Sequence, residues 1–286
     1  MNIAVIGANG FLGYSIVDFF IKNDIPVTSL SRKKLKINCN WVEFHADLKF
    51  DFEIFKNFTH IFYCAACGVQ RNKEIKFNDS LLVNALFPIK LSRFLQETNI
   101  KLITFGSYFE IGNNEIDKEW SVEEIVFSQN SIENDYIKTK KILTYWAFIS
   151  KSLYHFILPT IYGENEDKDR LIPYLIEKFK NNLEVEVSSG EQVRQYIYIN
   201  DLINGLWLII NSNIERGVYN FPSSETLKIK EIITLISSHF NYSLKINTND
   251  EFRDLKMKNL QLKSSKCFNS IQINSSFIAN NLDYYL

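Results

Sequence analysis

Tyr136 and Lys140, four residues apart in the run YIKTK, could do proton chemistry together. On a helix, positions i and i+4 share one face. An ammonium beside a phenol stabilises the phenolate, which makes the tyrosine a usable acid or base near neutrality. The spacing alone says little, because in a lysine-rich chain with 14 tyrosines Tyr174 and Lys178 repeat it. Position separates the two pairs. Tyr136 follows an apolar run that ends in FGSYFE, whereas Tyr174 lies in a later segment and has a structural reading. Ser107 closes that apolar run, where a hydroxyl faces the crevice in which open α/β sheets bind ligands. In company with Tyr136 and Lys140 it becomes a donor able to polarise a carbonyl.

These groups need elements to carry them, and the opening residues MNIAVIGANGFLGYSIVDFF show which. The apolar run Ile3 to Ile6 breaks at Gly7, Gly10 and Gly13 follow, and Phe11 and Leu12 begin a helical pattern. This is a buried parallel strand, a tight turn and a helix whose N-terminus faces a phosphate. Gly7 permits the turn, Gly10 lets backbone approach a pyrophosphate, and Gly13 lets the helix lie close on the sheet. The predicted ligand is a dinucleotide. In such a fold the end of the second strand selects the cofactor: an acid accepts from the ribose 2′-hydroxyl, while an arginine accommodates a 2′-phosphate. Here that strand ends Leu30-Ser31-Arg32-Lys33-Lys34 with no carboxylate, so Ser31 and Arg32 predict NADPH rather than NADH.

Strand and helix patterns alternate through the first half, the signature of an α/β doubly wound parallel sheet. Strands are expected at Val27–Leu30, Trp41–His45, Ile61–Cys64, Lys101–Phe105 and His155–Leu158, with helices over 11–23, Ser80–Glu97 and Ile132–Lys151. The second half is less regular: a polar loop at Glu164–Arg170, a helix at Leu171–Asn181 and a strand at Val185–Val187. Residues 1–163 form the expected dinucleotide-binding domain, to which 195–220 return, and 164–286 form a smaller α/β substrate-binding lobe. Of the 286 residues 46% are apolar and 23% charged, which is ordinary for a globular enzyme. A net charge of −1 argues against nucleic acid as the main partner. No apolar run approaches a membrane span, and the chain enters its first strand without room for a signal peptide. Four cysteines suit a reducing cytoplasm, and Cys64 and Cys67, a C-x-x-C without further ligands, read as core packing rather than a metal site.

Taken in order, Gly7-x-x-Gly10-x-x-Gly13, Asp47-Leu48, Ala65-Ala66, Asn84, Ser107, Tyr136-x-x-Thr139-Lys140, Pro159 to Gly163 and Val193 to Asp201 resemble the extended short-chain dehydrogenases/reductases. These are nucleotide-sugar epimerases, dehydratases and reductases with a Rossmann-type fold. The resemblance implies that Asp47 and Leu48 hold the adenine, that Ala65 and Pro159 line the cofactor, and that Asn84 supports the active-site helix. It makes Tyr136 the proton donor, Lys140 the ribose ligand that tunes it, and Ser107 the group orienting the substrate oxygen, with Tyr108 beside it. Arg194 matches an arginine that family members place on the substrate diphosphate, and Arg253 resembles their second. Arg170 stands where UDP-galactose 4-epimerases carry an asparagine. The resemblance also implies a homodimer through a four-helix contact, with Tyr145, Trp146 and Phe148 as candidate anchors.

Departures from the family narrow the reaction. Sugar 4,6-dehydratases carry an Asp-Glu pair after the catalytic hydroxyl, where this chain has Tyr108 and Phe109. Epimerases commonly carry the acid that the second strand lacks here. The segment from Arg170 to Leu202 most resembles that of CDP-abequose and CDP-paratose synthases, which reduce a 4-keto sugar nucleotide. The expected activity is therefore NADPH-dependent reduction of a nucleotide-linked 4-keto deoxyhexose at C4. A 4-epimerase with bound NAD is the runner-up, and a non-catalytic NADP sensor stands behind it.

Overall fold

The computed structural model describes residues 1–68, 75–223, 225–243, 246–248, 256–270 and 276–285. The chain opens with β1 (Ile3–Ile6), α1 (Phe11–Lys22), β2 (Val27–Ser31), β3 (Asn40–Glu43) and β4 (His60–Tyr63). A broken helix follows, α2 (Phe77–Leu81) passing through a π turn at Leu82–Leu86 into α3 (Phe87–Phe94), and then β5 (Lys101–Ser107). Next come α4 (Val122–Val126), α5 (Asp135–Ser150), β6 (Tyr154–Leu158), β7 (Thr160–Tyr162), α6 (Leu171–Lys180) and β8 (Val185–Val187). The remainder is β9 (Val193–Tyr198), α7 (Ile199–Asn211), β10 (Gly217–Asn220), β11 (Glu225–Lys228), α8 (Ile229–His239), β12 (Ile246–Thr248), β13 (Asn259–Leu260) and α9 (Ile278–Asn281). No helix among the described residues is long and apolar enough to cross a membrane.

The first compact unit is Met1–Glu110, Ile132–Leu158 and Asn213–Asn220. Its sheet has the order β10-β6-β5-β4-β1-β2-β3, and every ladder is parallel. All four residues of β1 are fully buried, as a continuous apolar strand covered on both faces requires. The strands that follow β1 run to one side of it and β4 lies on the other, which makes β1 the switch point of a doubly wound, Rossmann-type sheet. One face is packed by a phenylalanine cluster in which Phe52 stacks on Phe87 with centroids 5.2 Å apart and Phe44 meets Phe87 edge-on. Each such pair adds about 0.5–1.5 kcal/mol beyond its buried area.

The helix expected over Ser80–Glu97 is Phe77–Phe94, and it is not continuous. Its π turn sits just before Pro88. Proline has no N–H for the carbonyl four residues back, here that of Asn84, and its ring crowds that oxygen. The turn widens to absorb the misfit.

The second unit is Ile111–Ser131, Pro159–Ser212 and Phe221–Leu286. Its main sheet centres on β9, which pairs in parallel with β7 and β13 and antiparallel with β11; β8 pairs with β12 in a two-stranded sheet. This corrects the expected return of residues 195–220 to the first domain. Only Gly217–Asn220 join the seven-stranded sheet, as β10, because β9 already finds partners on both sides within the second unit. Residues 111–131 also belong there rather than to the first domain. The side chains of Ser128 and Asn130 donate to the Ile111 carbonyl, and Asn114 and Trp120 exchange backbone bonds with residues 256–263.

Candidate active site

Because every ladder of the large sheet runs parallel, the expected cofactor residues gather at one edge of it. Gly7 follows β1, Ser31 ends β2 with Arg32 after it, and Asp47 and Leu48 follow β3; Ala65 follows β4, Ser107 ends β5 and Pro159 follows β6. Gly7 has φ +82°, and a Cβ there would fall 2.4 Å from the Ala65 nitrogen. Gly7 N–H donates to the Leu30 carbonyl at 2.9 Å, and Gly10 N–H returns to the Gly7 carbonyl at 3.0 Å. A Cβ on Gly13 would lie 2.4 Å from the same Gly7 oxygen, so the helix lies on the turn as closely as backbone allows. No side chain caps α1, and no carboxylate occupies the first turn that Phe11 and Leu12 begin. A helix start of this kind favours an anion. Arg32 is exposed, while Ser31 is buried, donates from Oγ to the Lys33 carbonyl at 2.8 Å and accepts from Trp41 Nε1. Asp47 Oδ1 accepts the Lys49 N–H at 2.8 Å and the Lys90 ammonium reaches the Leu48 carbonyl, which fixes the loop after β3. These residues fit a dinucleotide.

The proton-transfer candidates ride on α5. Asn134 caps it, Oδ1 accepting the Tyr136 N–H at 2.8 Å, so Tyr136 is held in the first turn. The loop after β4 runs close beside it: a Cβ on Gly68 would meet Tyr136 Cβ at 3.2 Å. Asn84, fully buried in the π turn, joins the two segments. It accepts from Cys67 N–H at 2.9 Å, donates to the Cys67 carbonyl at 2.8 Å, and donates to Thr139 Oγ1 at 2.9 Å. Lys140 is buried one position further on; burial pulls its ammonium below the ordinary lysine range, and Glu110 and then Cys64 oppose that pull. Ser107 is half-buried, its Oγ accepting from Phe109 N–H at 3.3 Å and its own N–H donating to Glu110 Oε1 at 2.7 Å.

Not every expected residue joins this group. Tyr108 is fully buried, edge-on to Phe109, and the structure places its ring in packing. In the second unit Arg194 is 2% exposed and its Nη1 donates to the carbonyls of Val193 and Lys258, at 2.8 and 3.4 Å. Arg170 N-caps α6 and pairs with the buried carboxylate of Glu166 at 3.3 Å, which also receives the Tyr285 hydroxyl. Arg253 lies outside the described residues. Tyr174 receives the Glu186 N–H on its hydroxyl at 3.1 Å, a tie from α6 to β8. Glu110, His155 and Asn134 were not among the expected residues. The signal for Glu110 is visible afterwards: a lone acid inside the apolar run ITFGSYFEIG.

Residues 3–221 match the NAD dependent epimerase/dehydratase family, a span that covers most of the chain. The chain belongs to this family. Its chemistry is that of an NAD(P)-dependent oxidoreductase. Among family relatives, the CDP-abequose synthase of Salmonella muenchen is 24% identical over 258 residues, 86% of this chain and 83% of that protein. The dTDP-4-dehydro-6-deoxyglucose reductase of Escherichia coli is 22% identical over 271 residues, 87% and 85% of the two chains. The fold also matches that of the UDP-glucuronic acid 4-epimerase from Bacillus cereus, solved with UDP-glucuronic acid and NAD. That match has a TM-score of 0.83 at 18% identity and covers 100% of this chain and 99% of the epimerase.

Proposed function

We propose that this protein is a cytoplasmic, NADPH-dependent reductase that acts at C4 of a nucleotide-linked 4-keto-6-deoxy or 3,6-dideoxy hexose, in the making of surface-polysaccharide sugars. The observation that supports it is Ser107, Tyr136 and Lys140 carried on β5 and α5 with Tyr108 and Phe109, not an acid pair, after the serine. The curated relatives named for CDP-abequose synthesis and for 4-dehydro-6-deoxyglucose reduction support the same reading.

A reduced nicotinamide, when bound, supplies the hydride. Gly7, Gly10, Phe11, Leu12, Gly13, Ala65 and Pro159 would hold the dinucleotide, with Asp47 and Leu48 toward its adenine. Ser31 and Arg32 would take its 2′-phosphate. Tyr136 gives its proton to the sugar O4 as the ketone becomes an alcohol, and solvent later restores it. The Ser107 hydroxyl donates to the same oxygen, a donor aimed at developing charge. Lys140 would bind the nicotinamide ribose and stabilise the phenolate left on Tyr136. Arg170, the more exposed of the two arginines, would take the substrate diphosphate, a guanidinium being suited to bidentate contact with phosphate. Arg194, by contrast, is committed to the Val193 and Lys258 carbonyls.

We read the protein as a dimer through α5 and the broken helix α2–α3. Ile142, Tyr145 and Ile149 are exposed along α5, and Phe77 and Leu86 are exposed on the broken helix. Trp146, by contrast, is half-buried and donates from Nε1 to Ser92 Oγ at 3.1 Å within its own chain. The deciding experiment offers a panel of 4-keto sugar nucleotides and follows NADPH oxidation, with the C4 configuration of the product assigned by NMR. Protein that purifies with stoichiometric NAD and consumes no NADPH would instead be a 4-epimerase.

A further inference from the structure

A polar cluster lies buried behind the end of β5. Glu110 is fully buried. Its Oε1 accepts from Ser107 N–H at 2.7 Å, and the Thr144 hydroxyl bonds to the same carboxyl. Its Oε2 is buried without a hydrogen-bond partner. Thr144 Oγ1 lies 2.9 Å from His155 Nε2, and His155 Nδ1 lies 2.7 Å from Thr104 Oγ1. Gly106 leaves the room for this: a Cβ there would fall 2.6 Å from His155 Nε2 and 3.0 Å from Glu110 Oε1.

The acceptors fix the proton directions. The Thr144 hydroxyl has two acceptors, the Glu110 carboxyl and the Lys140 carbonyl at 3.3 Å, so it serves as a donor. His155 Nε2–H then donates to Thr144, and Thr104 donates to His155 Nδ1. That chain needs a neutral imidazole, and burial holds His155 well below the usual histidine value. The positive charges acting on Glu110 come from α5: Lys140, and Lys141, whose Nζ also donates to the Glu110 carbonyl at 3.3 Å. Lys140 is acted on by Glu110 and by Cys64 at the end of β4, and burial drives the Cys64 thiol far up, so it stays neutral. Burial raises the Glu110 carboxyl and lowers the Lys140 ammonium, and each group opposes the shift of the other. A buried charge whose partner is removed is left uncompensated, at a large cost.

We propose that Glu110 is a positioning residue for the reaction: it fixes the backbone of Ser107 and supplies the buried negative charge that keeps the Lys140 ammonium charged in the interior. The proposal rests on the roles given above to Ser107, Tyr136 and Lys140. It adds a residue that touches neither dinucleotide nor sugar and acts through two that do.

Glu110→Gln keeps the shape and a carbonyl oxygen for Ser107 N–H but removes the charge; Glu110→Asp keeps the charge. With dTDP-4-keto-6-deoxyglucose and NADPH as the probe pair, Glu110→Gln should lower kcat about 10–100-fold, the range of a lost charged hydrogen bond. KM for both ligands should stay within about threefold of wild type, which would leave uniform binding untouched. The alkaline limb of the kcat profile should move to lower pH, because Lys140 then loses its proton sooner, and Glu110→Asp should restore much of it. A wild-type pH profile in Glu110→Gln, or Asp and Gln variants displaced alike, overturns the proposal. Should the variants fail to fold, carboxyl-labelled glutamate in the unaltered protein decides by NMR. An ionised Glu110 at neutral pH supports the proposal, and a protonated one overturns it. Tyr136→Phe in the same assay separates the two ideas, since full turnover there removes the reaction reading while the charge state of Glu110 is read independently.

Discussion

The side-chain amide of Asn84 donates to the hydroxyl of Thr139 at 2.9 Å, across 55 positions of sequence and wholly inside the protein. Thr139 stands between Tyr136 and Lys140 on α5, and its hydroxyl turns back to the carbonyls of Asp135 and Tyr136, both at 2.9 Å. Asn84 therefore braces the first turn of the helix that carries the proposed acid. Asn84→Ala removes the side-chain partner of the half-buried Cys67 N–H and carbonyl and of the buried Thr139 hydroxyl. Unfolding in urea should show a loss of about 2–4 kcal/mol, from unsatisfied buried groups at about 1–3 kcal/mol each. Unchanged stability would mean that water replaces the amide.

Gly13→Ala should be costly for a different reason. The new methyl would sit 2.4 Å from the Gly7 carbonyl oxygen, which is backbone and cannot swing aside. Overpacking of this kind costs about 1–3 kcal/mol. Pushing α1 off the turn should also weaken dinucleotide binding at least tenfold, read by fluorescence titration with NADPH.

Tyr136→Phe removes only a hydroxyl from a half-buried ring. Single turnover should slow by about 10²–10⁴, the range for a lost general acid, while NADPH binding stays within a few-fold of wild type. Comparable rates in the two proteins would take Tyr136 out of the chemistry.

Arg32→Ala tests the cofactor. A guanidinium–phosphate contact is worth about 1.5–3 kcal/mol, so the Kd for NADPH should rise about 10–100-fold with little change for NADH. An equal effect on both dinucleotides would place Arg32 elsewhere in binding.

Two buried histidines set the acid limit. Burial, with Lys101 and the N-terminus adding, holds His60 down to about 4, and His155 is held well below its usual value. Both stay neutral in the fold but take a proton near pH 6.5 once unfolded. The unfolded state therefore binds more protons below pH 6.5, and stability falls as the pH drops from there, for His60 down to about pH 4. The slope is up to about 1.4 kcal/mol per pH unit for each histidine. Glu110 is raised by burial and works with the opposite sign, binding its extra proton in the fold between the unfolded glutamate value and its own. Urea midpoints between pH 7 and pH 5 should show the fall, and His60→Phe should flatten it by about one proton.

The first half was legible because its signals are local. A four-residue apolar run closed by glycine can be little else than a buried parallel strand, and β1, β2, β4, β5 and β6 fall within two residues of their expected bounds. Two features escaped for lack of a local signal. The strand VRQYIY has the same apolar character whichever sheet it joins; its partners, not its composition, put it beside β7 and β11. Glu110 looks like a loop acid until Ser107, Thr144 and Lys140 are seen around it. The break at the π turn, by contrast, has a local signal in Pro88.

The large sheet is assembled from distant stretches of chain. Its outermost strand, β10, is translated only after residues 159–212, which belong to the other unit. While the ribosome is still making those residues, β6 stands as a bare sheet edge, the kind of surface that invites wrong pairing. The nascent chain must therefore wait for Gly217–Asn220 before its first unit can close, and neither unit can be excised for expression as one uninterrupted fragment.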